Sequence, residues 1–113
     1  MKIYHNPRCS KSRQALEILR ENNIEPEVIE YLKELPTKDE LEGIVRMLGV
    51  SPEMIIRKGE PDYKENFKGK NLCDRDWIQA MLDYPKLIER PIVIVGNKAV
   101  VGRPPEKVLT LLK

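Results

Sequence analysis

Cysteine and histidine are scarce in this chain: two cysteines, Cys9 and Cys73, and one histidine, His5, in 113 residues. Two cysteines far apart and in unlike surroundings do not make a secreted disulfide framework. With a single histidine beside them there is no plausible zinc set, and no bound metal or cofactor is expected. Long hydrophobic runs are also missing. Stretches such as Ile92 to Val95 fall far short of the roughly 20 apolar residues that span a bilayer, so no membrane partner is expected. Neither sign of charge dominates: 20 lysines and arginines stand against 18 acidic residues, which leaves no broad field for nucleic acid. Lys64, Lys68 and Lys70 read as a solvated loop face. The start, Met1-Lys2-Ile3-Tyr4-His5, lacks the basic-then-apolar layout of a secretory signal, and a cytoplasmic, reducing location is the expectation.

The length fits one domain over 1–113 with its own core, and a monomer is expected. Residues 2–5 read as a buried strand. Ser10 to Asn22 reads as a helix with Ala15, Leu16, Ile18 and Leu19 on its apolar side, ended by Asn22-Asn23. Glu27 to Leu32 has strand character and completes a right-handed β-α-β unit. Thr37-Lys38-Asp39-Glu40 is a capping box before Leu41, Ile44, Val45 and Leu48, with Gly49 closing the helix. Ser51-Pro52 predicts a further helix up to Arg57, and 58–73 reads as loop. Asp74 is expected to cap a helix with Trp77, Ile78, Met81 and Leu82 on one face. Pro91 to Val95, Gly96-Asn97 and Lys98 to Val101 predict a hairpin. A last helix from Pro104-Pro105-Glu106 packs through Val108, Leu109, Leu111 and Leu112. The order is β-α-β, a helical insertion at about 36–88, then β-β-α: an α/β, thioredoxin-like arrangement with a mixed four-stranded sheet.

Against that frame Cys9 stands out, in the run Tyr4-His5-Asn6-Pro7-Arg8-Cys9-Ser10-Lys11-Ser12. A thiol at a strand-to-helix junction faces unpaired N–H groups and the positive end of the helix dipole, both of which favour the thiolate. Most lone cysteines are inert buried thiols; polar and basic neighbours at a helix start favour a nucleophile here. Ser12 replaces the second cysteine of a C-x-x-C pair. Local disulfide chemistry is thereby excluded, and a mixed disulfide or another covalent adduct remains.

A phosphatase-like C-x5-R loop would need arginine where the chain has Ala15, so arginines from elsewhere must hold any oxyanion. Arg57, Arg90 and Arg103 are the candidates, each on its own an ordinary surface residue. Jointly they differ, because in a thioredoxin-like fold the proline opening the third strand, here Pro91, lies beside the active cysteine and is commonly cis. Arg90 then borders the site, and Arg103, at the hairpin exit, can reach the same cleft. His5 reads equally as a hydrogen-bonded structural residue or as a partner of the thiolate or its loop. Cys73 reads as a half-buried structural thiol, with a resolving role as the weaker alternative.

The pattern strand-H-N-P-x-C-x-x-S, Arg57-Lys58, the R-P-I-V-I strand from Arg90 and the closing G-R-P-P-E resembles the glutaredoxin-coupled arsenate reductase family over nearly the whole chain. The resemblance implies Cys9 as nucleophile and Arg57, Arg90 and Arg103 as oxyanion-binding and arsenite-stabilising residues. His5 and Ser12, with Asn6 and Pro91 around them, match supporting positions. It further implies arsenate as substrate, glutathione as co-substrate and glutaredoxin as partner. Two alternatives stay open. One is a glutathione-linked thiol reductase acting on another oxyanion or on protein mixed disulfides. The other is a non-enzymatic redox regulator binding a protein partner, against which Ser12 argues because such a switch typically carries C-x-x-C.

Overall fold

Four short strands, β1 (Lys2–His5), β2 (Glu27–Glu30), β3 (Ile92–Val95) and β4 (Lys98–Val101), form one sheet in the order β2-β1-β3-β4. A computed structural model describes residues 1–112. The chain forms two compact units, one made of Met1–Glu34 with the segment from Arg90 onward, the other of Leu35–Glu89.

In the first unit β1 pairs parallel with β2, Ile3 opposite Val28, and antiparallel with β3, Ile3 opposite Val93. A parallel pair needs a crossover, and α1 (Ser10–Glu21) supplies it. Its 15, 16 and 19 positions lie on one helical face. That spacing buries Ala15, Leu16 and Leu19 together with Ile3, Val93 and Val108 as the core. The helix stops where expected: Asn23 takes a left-handed conformation at φ 62°, and the Ile24 amide bonds back to the Leu19 carbonyl, a closure asparagine tolerates. β3 and β4 make the expected hairpin, with Gly96 in the turn at φ 58°. The strand and helix order is the thioredoxin-like one read from the sequence.

The last element departs from expectation. Pro105–Leu112 winds as a 3₁₀ helix; Val108 is fully buried against α1, while Leu109 is exposed. Three residues per turn put 105, 108 and 111 on one side, which turns Leu109 outward.

In the second unit, α2 (Lys38–Leu48) has both halves of the capping box, with Gly49 left-handed at φ 70° closing it. The segment after Ser51 is a single 3₁₀ turn, Pro52–Ile55, rather than a helix to Arg57, and Ser51 makes no side-chain capping bond. The β-branched Ile56 leaves the turn to form an antiparallel bridge with Ile88. Within 58–73, read as loop, lies α3 (Pro61–Asn66), whose signal was proline at the first helical position followed by Asp62. The N-cap of α4 (Asp74–Asp83) is Cys73, not Asp74, and its thiol is exposed rather than half-buried. Trp77, Ile78 and Met81 are buried as expected. Tyr63 stacks on Trp77 with ring centroids 6.3 Å apart, and Phe67 tilts against it at 6.0 Å, fastening α3 through its rings.

Gly102 has no room for a side chain. A Cβ there would lie 2.9 Å from Pro91 Cγ and 3.3 Å from Val108 Cγ1, and the Gly102 amide bonds to the Pro91 carbonyl at 2.9 Å. Both neighbours are buried. Gly102→Ala is expected to cost about 1–3 kcal/mol by overpacking, read as a lowered urea midpoint at an unchanged slope; an unchanged midpoint would contradict the packing described.

Candidate active site

Cys9 occupies the N-cap position of α1, with extended backbone at φ −95° and ψ 121°. The preceding loop is fixed by its own polar groups. The Cys9 amide donates to the Asn6 carbonyl at 3.0 Å, and the Arg8 amide donates to Asn6 Oδ1 at 3.0 Å. From the first turn of the helix the fully buried Ser12 reaches back: its Oγ accepts the Asn6 amide at 3.1 Å and lies 2.6 Å from His5 Nδ1. Strand end, loop and helix start are thereby pinned around one hydroxyl. Pinning matters because a helix N-terminus favours an anion only over its first turn.

Sγ makes no capping bond of standard geometry, yet the first-turn amides act on it. Burial is the largest single influence and pushes the thiol pKa up. The Ser12 amide, the hydrogen-bonded and charged Arg90 guanidinium, and the Lys11 amide together outweigh it, leaving the pKa below the ordinary cysteine value. A thiolate is the better nucleophile and metalloid ligand, so this environment favours reaction.

Two arginines of the first unit meet the sulfur. Arg103 donates from Nη2 to Cys9 Sγ at 3.5 Å and from Nε to the Arg90 carbonyl at 2.8 Å. Arg90 is hydrogen-bonded to Cys9 and to the Tyr31 phenol. Burial is the largest influence on it and lowers its pKa, but Tyr31 and Cys9 outweigh burial, and the net shift is upward. Its charge is secure. The Arg90–Pro91 peptide bond is cis, as expected, and Arg103–Pro104 is cis as well.

Tyr31, fully buried, is the residue that sequence reasoning missed in this role. Its place just beyond β2 read only as strand hydrophobicity, although a buried tyrosine needs a partner for its hydroxyl. The hydrogen bond of His5 goes to Ser12. Burial chiefly lowers its pKa, helped by Arg20 and Arg13 and opposed by Glu30. Through Ser12 the His5 ring is tied to the same hydroxyl that accepts the Asn6 amide.

Arg57 belongs to the second unit, where its guanidinium donates to Glu60 Oε1 from Nε at 3.3 Å and to Glu89 Oε1 from Nη1 at 2.9 Å. No group of three or more histidine, cysteine or acidic side chains suited to a metal occurs among the described residues, nor is any helix long and apolar enough to cross a membrane.

Residues 4–111 match the ArsC family. The chain is 44% identical over 114 residues to an arsenate reductase of Neisseria meningitidis, covering 99% of this chain and 97% of that one. It is 48% identical over 114 residues to the uncharacterised protein YfgD of Escherichia coli, covering 99% and 96%. Among solved structures, an arsenate reductase from Vibrio cholerae superposes with a TM-score of 0.92 at 45% identity, covering 97% of each chain.

Two outcomes follow from this geometry. In a Cys73→Ser background, alkylation of Cys9 by iodoacetamide should titrate with a midpoint below about 8.5, and Arg90→Gln should move it upward; a midpoint at or above the free-cysteine value would contradict the arrangement. Ser12→Ala strips the partner from the buried Asn6 amide and His5 Nδ1, and should cost about 1–3 kcal/mol in denaturant unfolding.

Proposed function

Since the chain belongs to the ArsC family, we propose that it is an oxidoreductase that reduces arsenate to arsenite through a covalent adduct on Cys9, with glutathione and glutaredoxin as thiol donors. The observation that carries this reading is the Cys9 sulfur meeting Arg90 and Arg103 at the start of α1. The names of its relatives from Neisseria and Vibrio supply the substrate.

Arsenate near neutral pH is a tetrahedral oxyanion carrying about two negative charges, as phosphate is. Guanidinium groups suit it because their planar forks match oxyanion geometry. In the proposed reaction Arg90 and Arg103 hold the anion, with Arg57 as the third oxyanion-binding residue by family likeness. The Cys9 thiolate attacks arsenic and an oxygen leaves as water after taking up protons, the arginines stabilising the charge that develops. The thiol of glutathione then replaces a second oxygen, which also leaves as water. A glutaredoxin thiol attacks the glutathione sulfur, so that a mixed disulfide forms and the electron pair of the broken S–As bond stays on arsenic; water then displaces arsenite from the Cys9 sulfur. External thiols supply those electrons, so a serine at position 12 suffices where a resolving cysteine would otherwise stand. Cys73, exposed on the second unit, has no step in this scheme.

Cys9→Ser should abolish arsenate-dependent oxidation of glutathione in the presence of glutaredoxin, while Cys73→Ser keeps most of it. Equal losses from both changes would reject the scheme. Negligible turnover by the unaltered protein would point to another oxyanion or a mixed disulfide.

A further inference from the structure

Arg57 is gripped by acids of its own unit. Its Nε lies 3.3 Å from Glu60 Oε1 and its Nη1 lies 2.9 Å from Glu89 Oε1, with side-chain exposures of 23% for Arg57, 19% for Glu60 and 23% for Glu89. Pairs this sheltered are screened less than surface pairs. Their geometry is built by the backbone. The Arg57 amide donates to the Leu87 carbonyl at 2.7 Å and the Glu89 amide to the Ile55 carbonyl at 2.9 Å, on either side of the Ile56–Ile88 bridge. Arg57 thus lies opposite Leu87 and Glu89 opposite Ile55, which makes Arg57 and Glu89 diagonal neighbours in a short antiparallel pairing. On the other side the Glu60 amide bonds to the Arg57 carbonyl at 3.2 Å. Glu60 holds the N-cap position of α3 yet makes no side-chain capping bond; its carboxylate goes to Arg57 instead.

A guanidinium offers an oxyanion two forks, Nε with Nη2 and Nη1 with Nη2. In each of them one nitrogen is already engaged by a carboxylate. An oxyanion must therefore compete with a carboxylate for either fork. We propose that Glu60 and Glu89 form a carboxylate latch on Arg57, so that an arsenate-like oxyanion takes this guanidinium in a fork only by displacing one of them. The two acids are positioning residues that set oxyanion affinity. This rests on the reading of Arg57 as an oxyanion-binding residue given above.

The test compares Glu60→Gln and Glu89→Gln, each in the native and in the Arg57→Gln background, by coupled arsenate reduction and by calorimetric titration of arsenate into the same variants carrying Cys9→Ser. The latch predicts that each glutamine lowers the arsenate KM and dissociation constant by about two- to five-fold, as expected for releasing a partly exposed pair. It leaves kcat changed much less. In the Arg57→Gln background the same changes should have almost no effect, which separates a latch from a structural role. Should Glu89→Gln unfold the second unit, circular dichroism will show it, and Glu60→Gln carries the test alone. Arsenate affinity unchanged or weakened by the glutamines, while Arg90→Gln and Arg103→Gln still impair binding, would overturn the latch and leave the functional reading intact. Absence of arsenate binding and turnover in the unaltered protein would overturn both.

Discussion

One sulfur atom governs this molecule. Burying a thiol disfavours its ionised form, and here burial is the largest influence on Cys9. The thiolate is nonetheless favoured because amide dipoles and a guanidinium converge on it. Neither contribution works without the other elements being fixed. The amides belong to a helix whose start is tied through Ser12 to Asn6 and His5. Arg90 stands at the entry to β3 and is bound to Tyr31 just beyond β2. Sheet order, crossover helix and hairpin exit thus all terminate on the same few ångströms.

The folding logic of the first unit follows from that convergence. The core under the sheet, built from Ile3, Val93, Ala15, Leu16, Leu19 and Val108, is ordinary in chemistry and supplies the rigid base. Above it the chain spends polar groups freely, with His5, Asn6 and Ser12 all buried. Buried polar groups are tolerated only when partnered. Ser12 meets this condition by serving two neighbours at once, accepting from the Asn6 amide and meeting His5. Burial lowers the His5 pKa, which favours the neutral imidazole in its contact with Ser12. Arg103 adds a second cationic contact to the sulfur while its Nε is anchored on the Arg90 carbonyl, so the two arginines are coupled through the backbone as well as through the thiolate.

Much of this was legible in the residues. Period and punctuation gave β1, α1, the hairpin and the capped α2, because in each the local signal and the buried face agree. Cys9, Ser12, Arg90 and Arg103 were visible as chemistry-bearing residues at element junctions, and it took the thioredoxin-like fold and the family resemblance, not spacing, to bring the first unit's arginines toward the cysteine. What escaped was set by tertiary contact. Tyr31 gave only a hydrophobic signal, since its partner lies some sixty positions away in the chain. The turn at Pro52–Ile55 stopped short because Ile56 found a bridge partner in Ile88, a pairing no local pattern encodes. α3 was missed because its first unambiguous mark, a proline, also marks loops. Cys73 was read as half-buried, but it sits at the exposed mouth of α4, where only the surrounding fold decides exposure.

A crystal of the protein soaked in arsenate or sulfate tests the central claim most directly. The account predicts tetrahedral density beside the Cys9 sulfur, within hydrogen-bond distance of both the Arg90 and the Arg103 guanidinium groups. An anion bound elsewhere, with Cys9 and these arginines undisturbed and untouched at saturating concentration, would contradict it.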